Sequence, residues 1–198
     1  MTRVVVYTAL GGPEVLHLIE VADPVAGPGQ VVVQLTAVGV NPVDGKQRSG
    51  GRVLPPIVEP RRIGYDGAGV VSEVGPGVEH LQIGERVVVT ETPGTYAERL
   101  AVDAHNAVPI PREVSDEVAA AIGTPASTAY QALRSLRVRD GDTLLIHAGS
   151  GAVGQAAIQF AVDRGATVIA TSSAAHHDRM RQLSAIPVEY GPGLLERI

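Results

Sequence analysis

Residues 143–171, TLLIHAGSGAVGQAAIQFAVDRGATVIAT, constrain the fold of this chain more than any other stretch. They spell an apolar strand, a glycine-rich turn, a helix and a second apolar strand. Thr143 to His147 has the composition of a buried strand, and Thr167 to Ala170 supplies the second. Between them Ala152, Val153, Ala156, Ala157, Phe160 and Ala161 recur at helical spacing. The turn carries Gly149, Gly151 and Gly154 in the GxGxxG spacing of a dinucleotide-binding βαβ unit. Each glycine has its own reason. Gly149 permits a tight turn that a Cβ would hinder. Gly151 lets the backbone approach a pyrophosphate, and Gly154 lets the helix pack close to the strand. The helix start aims unpaired N–H groups and its positive dipole end at the phosphates. Ser150, Ala152 and Val153 therefore join the three glycines as expected cofactor contacts. The alternative is a turn with a purely structural role.

The remaining composition narrows the class. With 44% hydrophobic and 19% charged residues, the 198-residue chain can bury a core as one large or two small domains. No apolar run approaches the ~20 residues of a membrane span. The N-terminus reads as a strand and turn without a secretory cleavage region. A net charge of −5 argues against nucleic acid or an anionic membrane as partner. The absence of cysteine excludes disulfides, thiolate catalysis and thiolate metal sites, and fits a cytoplasmic enzyme. No two of the six histidines have metal-ligand spacing on one face, so no metal site is expected. Aromatic residues make up only 3%, which makes each tyrosine a candidate.

Two styles of sequence meet near residue 115. Before it, β-rich runs at Arg3–Thr8, Val15–Val21, Gln30–Val38, Ala68–Val74, Glu85–Thr90 and Tyr96–Val102 alternate with Gly- and Pro-marked turns. This predicts a partly open β-barrel over residues 1–115. Pro42–Arg48 reads as a short helix with proline in its first turn. Residues 116–198 predict an α/β domain. It would open with a helix through Ala119–Ile122, capped from Ser115, and a second helix over Pro125–Arg137. After the βαβ unit come a helix over His176–Leu183, a third strand at Pro187–Tyr190 and the start of a further helix at Gly193. A doubly wound dinucleotide domain has six strands in the order 3-2-1-4-5-6. Only three are visible, so a partial domain is expected, with the pyrophosphate half of a site and a bare apolar edge on its first strand.

The order and spacing of several motifs resemble the zinc-independent medium-chain dehydrogenase/reductases, specifically the NADPH:quinone oxidoreductase and zeta-crystallin-like family. The matching segments are Asn41-Pro42-Val43-Asp44, Gly64-Tyr65-Asp66-Gly67-Ala68-Gly69, Val74-Gly75-Pro76-Gly77-Val78, Ile83-Gly84-Glu85-Arg86-Val87, Gly94-Thr95-Tyr96-Ala97-Glu98, Thr128-Ala129-Tyr130-Gln131-Ala132-Leu133 and the glycine turn. The resemblance implies a GroES-like barrel followed by a Rossmann domain, here C-terminally truncated. Zinc-dependent relatives use a cysteine and a histidine in the barrel. This chain has no cysteine, and Tyr65 stands where the histidine would be.

The resemblance also implies roles. Asn41, Tyr65 and Tyr130 would serve catalysis. Asn41, Thr128 and Tyr130 would contact the cofactor, with Asp44 beside the pocket. Each has a plainer alternative, since Asn41 can cap the short helix, Asp44 can satisfy its first-turn amides, and both tyrosines can be core rings. NAD-preferring sites place an acid after the second strand. Here Thr171-Ser172-Ser173 is neutral, so Ser172 and Ser173 can receive a 2′-phosphate, which favours NADPH; a plain helix cap is the alternative. Related reductases often place a lysine near His177, so a His177 contact would be weaker or pH-dependent. The implied reaction is hydride transfer from NADPH to a quinone or an α,β-unsaturated carbonyl, a small-molecule substrate. Family members are often homodimers, through strands not visible here. Two rivals remain: an enoyl-reductase module of the fatty-acid or polyketide synthase type, and a non-catalytic NADPH-binding or structural protein.

Overall fold

The computed structural model describes residues 1–51 and 55–198. The chain forms two compact units, Met1–Thr124 and Pro125–Ile198. The change of sequence style near residue 115 precedes this division, which falls inside a helix.

The first unit contains β1 (Thr2–Tyr7), β2 (Leu16–Val21), β3 (Gln30–Gly39), α1 (Pro42–Arg48), β4 (Arg61–Arg62), β5 (Asp66–Val74), β6 (Arg86–Val89), β7 (Arg99–Asp103) and β8 (Ala107–Pro109). Five strands form a sheet in the order β7-β3-β5-β6-β8, and three form a second sheet, β2-β1-β4. Residues 96–98 stitch the sheets together. Val5 N–H donates to the Tyr96 carbonyl at 2.8 Å, Glu98 N–H to the Arg3 carbonyl at 3.0 Å, and Leu35 N–H to the Glu98 carbonyl at 2.9 Å. The result is the partly open barrel that the β-rich runs predict. Its core follows the period-two rule, since Val31 and Val33 of β3, Val87 and Val89 of β6, and Leu100 and Val102 of β7 face inward together. The strands β4 and β8 span too few residues to show that alternation, so the sequence does not announce them.

Strand β3 breaks register with β5 between Leu35 and Ala37, which leaves Thr36 as an extra residue. Such a bulge bends a strand and re-aims the residues beyond it. Here β3 continues to Gly39, opposite Asp66, and delivers Asn41 to the start of α1.

In place of the two expected helices there is one, α2 (Asp116–Leu136), with Pro125 inside it. The expectation rests on the cost of an interior proline, which loses its own N–H bond and crowds the carbonyl four residues earlier; packing on both sides of Pro125 outweighs that cost. Ala119 and Ala120 pack on Ala68, while Leu133 enters the core of the second unit. The first turn of α2 is pinned at Asp116, which accepts from Thr36 Oγ1 at 2.6 Å and pairs with Arg86 Nη2 at 2.6 Å. The Thr36 hydrogen bond, and then Arg86, hold the Asp116 carboxyl below its usual range. A folded-state pKa below the unfolded value of about 3.9 gives stability that is complete above that value and is lost as pH falls through the folded one. Between pH 5 and pH 2.5, wild-type protein should therefore lose more of its urea midpoint than Asp116→Asn does; equal losses would remove Asp116 from the acid response.

The second unit contains β9 (Thr143–Ile146), α3 (Ala152–Asp163), β10 (Thr167–Ser172), α4 (His177–Gln182) and β11 (Ile186–Glu189). The strands form a parallel sheet in the order β11-β10-β9. This is the 3-2-1 half of a doubly wound sheet, with β9 at an edge. Ile158 and Ala161 of α3, Val168 and Ala170 of β10, and Met180 of α4 share its core. The helix expected over His176–Leu183 is shorter and comes after a 3-10 turn at Ala174–His176, and the one expected from Gly193 is a 3-10 turn at Leu194–Glu196.

Candidate functional site

The first unit gathers a buried polar cluster where β3 runs into α1. Asn41 is 9% exposed and Asp66, the first residue of β5, is 1% exposed. Asn41 Nδ2 donates to Asp66 Oδ2 at 2.8 Å, and the Asn41 backbone N–H donates to Asp44 Oδ2 at 2.8 Å. The same Asp66 oxygen accepts the Thr124 N–H at 2.9 Å, next to the proline in α2. Tyr96 Oη donates to Asp44 Oδ2 at 3.0 Å. Burial, and then the neighbouring Asp44, push the Tyr96 hydroxyl well above the ordinary tyrosine range. Tyr96 therefore keeps its proton and holds Asp44 in place. Tyr65 Oη donates to the buried Gln47 Oε1 at 3.0 Å, so its hydroxyl is already engaged. One oxygen of Asp44 and one of Asp66 are buried without a hydrogen-bond partner.

Asn41, Asp44 and Tyr65, all candidates from sequence, thus lie on one connected patch. Asp66, Gln47 and Tyr96 are additional members of it. Asp66 carried a usable signal, because a carboxyl inside the apolar run GYDGAGVV must find donors when it is buried.

The second unit builds the glycine turn. Gly149 N–H donates to the Thr171 carbonyl at 2.8 Å, Ala148 N–H to Thr171 Oγ1 at 3.2 Å, and Gly151 N–H back to the Ala148 carbonyl at 3.0 Å. The residue in the left-handed region is Ala148, at φ 54°, rather than Gly149. Gly149 is required for closeness instead of for its dihedral angle, since a Cβ there would lie 2.8 Å from Ala170 Cβ and 3.1 Å from Met180 Sδ. A Cβ at Gly154 would lie 2.7 Å from Gly149 Cα and closer still to the Ala148 carbonyl oxygen. The helix α3 is thereby drawn onto the turn as the spacing predicts. Gly151, Ala152 and Val153 are exposed at its start, where the first N–H groups of a helix have no acceptor within it. A short, tightly packed turn that opens onto exposed helix N–H groups fits a pyrophosphate.

The other candidates occupy varied settings. Ser172 is buried and its hydroxyl donates to the Ser173 carbonyl at 3.2 Å. Ser173 is half-buried, and His177 Nε2 is sealed from solvent without a partner. Thr128 is exposed on α2. Tyr130 is 49% exposed, edge-on to Phe160 at 6.1 Å between centroids, with the Arg164 guanidinium 5.3 Å over its ring. Among the described residues no group of three or more His, Cys, Asp or Glu side chains could hold a metal ion, and no helix is long and apolar enough to cross a membrane.

Comparison with known proteins agrees with both units. Residues 27–112 match the alcohol dehydrogenase GroES-like domain family. A quinone oxidoreductase of Lama guanicoe is 40% identical over 164 residues, which is 81% of this chain and 49% of that protein. A mycocerosic acid synthase-like polyketide synthase of Mycobacterium tuberculosis is 40% identical over 147 residues, 74% of this chain and 7% of that protein. The crystal structure of Escherichia coli quinone oxidoreductase complexed with NADPH superposes with a TM-score of 0.86 at 32% identity, covering 100% of this chain and 61% of that one. The chain spans about half the length of the curated quinone oxidoreductases it matches, 49% for the first of them. Since the likeness runs through the barrel, the glycine turn and the partial parallel sheet alike, the chain belongs to the quinone oxidoreductase family of the medium-chain dehydrogenase/reductases.

Proposed function

We propose that this protein is an NADPH-dependent oxidoreductase acting on quinones or α,β-unsaturated carbonyls without a metal. The observation that carries this reading is the glycine turn, packed too closely for any Cβ at Gly154 and open to solvent at the α3 start. NADPH, when bound, supplies the hydride. The chain's own residues do the rest. The N–H groups of Ala152 and Val153 hold the pyrophosphate, with Gly149, Ser150, Gly151 and Gly154 shaping the approach. Asn41, tethered by Asp66 and Asp44, positions cofactor or substrate through its amide. Thr128 is assigned to the cofactor, and Tyr130 to both cofactor and catalysis. Tyr65 and Tyr130 are the hydroxyls assigned to the oxygen that gains charge, for which Tyr65 would have to give up Gln47. Ser172, the last residue of β10, and Ser173 and His177 beyond it are assigned to the adenosine side. A cytoplasmic location and a homodimer complete the proposal.

The test is NADPH oxidation at 340 nm with 1,4-benzoquinone and with an enone, beside a calorimetric NADPH titration. The expected result is binding and substrate-dependent oxidation, with Asn41→Ala lowering turnover on the order of 10- to 100-fold through lost orientation. Full activity in that variant would remove Asn41 from the mechanism. NADPH binding without turnover on any acceptor would favour a non-catalytic protein. The polyketide synthase relative favours a second reading, reduction of an enoyl thioester. Turnover of an enoyl thioester with none of quinone would select it.

A further inference from the structure

Glycines bring the backbone of the turn close to a ligand, but they do not decide which way its peptide groups point. A residue outside the GxGxxG spacing decides it. Gln155 follows Gly154 and takes up two consecutive carbonyls of the turn. Its backbone N–H donates to the Gly151 carbonyl at 2.8 Å, as any residue at this place in a helix would. Its side chain adds a bond that few residue types could make, from Nε2 to the Ser150 carbonyl at 2.9 Å. The Gly151 N–H is already taken by the Ala148 carbonyl at 3.0 Å. The Ser150–Gly151 peptide is therefore held at both its oxygen and its N–H. The other end of the Gln155 amide is fixed as well, since Oε1 accepts Arg179 Nε from α4 at 3.1 Å. With a donor on Oε1, Nε2 is the atom that faces Ser150. The guanidinium charge polarises the amide and strengthens Nε2 as a donor.

We propose that Gln155 is a positioning residue for the cofactor pyrophosphate: it holds the Ser150 carbonyl away from the anion, so that N–H groups alone meet the phosphates. The inference rests on the dinucleotide reading above. A carbonyl oxygen turned outward would set the negative end of a peptide dipole against a phosphate, where the site needs N–H groups. The glycines cannot supply this constraint, because each leaves its neighbouring peptide groups free to rotate. Gln155 acts through the turn and need not touch the ligand. Its effect is blind to the rest of the cofactor, since NADPH and NADH carry the same pyrophosphate.

The experiment is calorimetric titration of NADPH, NADH and ADP into wild-type protein and the Gln155→Leu and Gln155→Glu variants, with urea unfolding of each. Leucine keeps the length and helix propensity of glutamine and removes the donor. Gln155→Leu should weaken all three ligands by one common factor, roughly 3- to 10-fold, the size expected of a single hydrogen bond. The KM for NADPH should rise by that factor with kcat unchanged. Gln155→Glu keeps an acceptor for Arg179, now as an ion pair, and offers Ser150 no donor. Its urea midpoint should hold or rise while its affinity for all three ligands falls, a divergence that a purely structural role would not produce. Affinity that rises with the midpoint in Gln155→Glu would make the tie between α3 and α4 the whole of the role and overturn the proposal. So would a loss confined to NADPH in Gln155→Leu, which would place the effect at the ribose end. If wild-type protein binds NADPH and Gln155→Leu binds it as well, this inference alone falls. If wild-type protein binds neither dinucleotide, the dinucleotide reading falls and takes this inference with it.

Discussion

Replacing Gly154 with valine is expected to abolish NADPH binding and to destabilise the second unit. Even the first carbon of the new side chain would lie 2.7 Å from Gly149 Cα and nearer still to the Ala148 carbonyl oxygen. Both neighbours are backbone, so neither can rotate away. Either α3 moves off the turn or the turn opens. The Gly151-to-Ala148 hydrogen bond, at 3.0 Å, is then lost or stretched. Overpacking of this kind costs about 1–3 kcal/mol. The effect on binding is larger, because the N–H groups at the α3 start are displaced together. Charge-assisted hydrogen bonds contribute about 1.5–3 kcal/mol each, so losing two weakens binding on the order of 100-fold or more. Gly151→Ala provides the contrast. Its Cβ would meet nothing nearer than the Ala148 carbonyl oxygen at 3.3 Å, so the urea midpoint should barely change while binding suffers. Urea unfolding and an NADPH titration on both variants decide the matter. Near-normal affinity in Gly154→Val would mean that the turn is not where the phosphates bind.

The second large effect is expected at Asp66. One of its oxygens accepts both Asn41 Nδ2 and the Thr124 N–H, at 2.8 and 2.9 Å, in a fully buried position. Asp66→Ala takes this acceptor from the buried Asn41 amide and removes one acceptor of the half-buried Thr124 N–H. An unsatisfied buried group costs about 1–3 kcal/mol, so a loss of about 2–3 kcal/mol is expected in urea unfolding. Asp66→Asn keeps a carbonyl oxygen of the same reach and should lose about half as much. The loss should fall on the first unit, because the partners belong to β3, α1 and the part of α2 within it. A change below about 1 kcal/mol in Asp66→Ala would show that water replaces the carboxyl and that Asn41 is not held by it.

The secondary structure was mostly legible, and the reason differs by element. The segment 143–171 could be read because strand and helix periods are local, and each is complete within a few residues. Pro42–Arg48 was legible as a helix because its start is marked by asparagine and proline. The single helix α2 was not. The rule that proline breaks helices is also local, whereas the packing that overrides it comes from Ala68 on one side and the core around Leu133 on the other. In the glycine turn a Cβ at Gly149 would crowd Ala170 and Met180, in keeping with a glycine there, whereas the left-handed dihedral belongs to Ala148, which the glycine spacing does not mark.

What the sequence determined by itself is the class of the chain: a β-rich unit, then a βαβ unit whose glycines point to a dinucleotide. Both come from patterns that repeat every two or 3.6 residues. Only the tertiary structure decided which polar groups those units turn inward. Asp66 is meaningful because Asn41 lies 25 residues before it and Thr124 58 residues after it, each within hydrogen-bond distance. Arg179 is tied to the glycine turn because Gln155, 24 residues away in the chain, offers it an acceptor. Partners so far apart in sequence meet only once the sheets have formed, and no local periodicity encodes which side chain will find which.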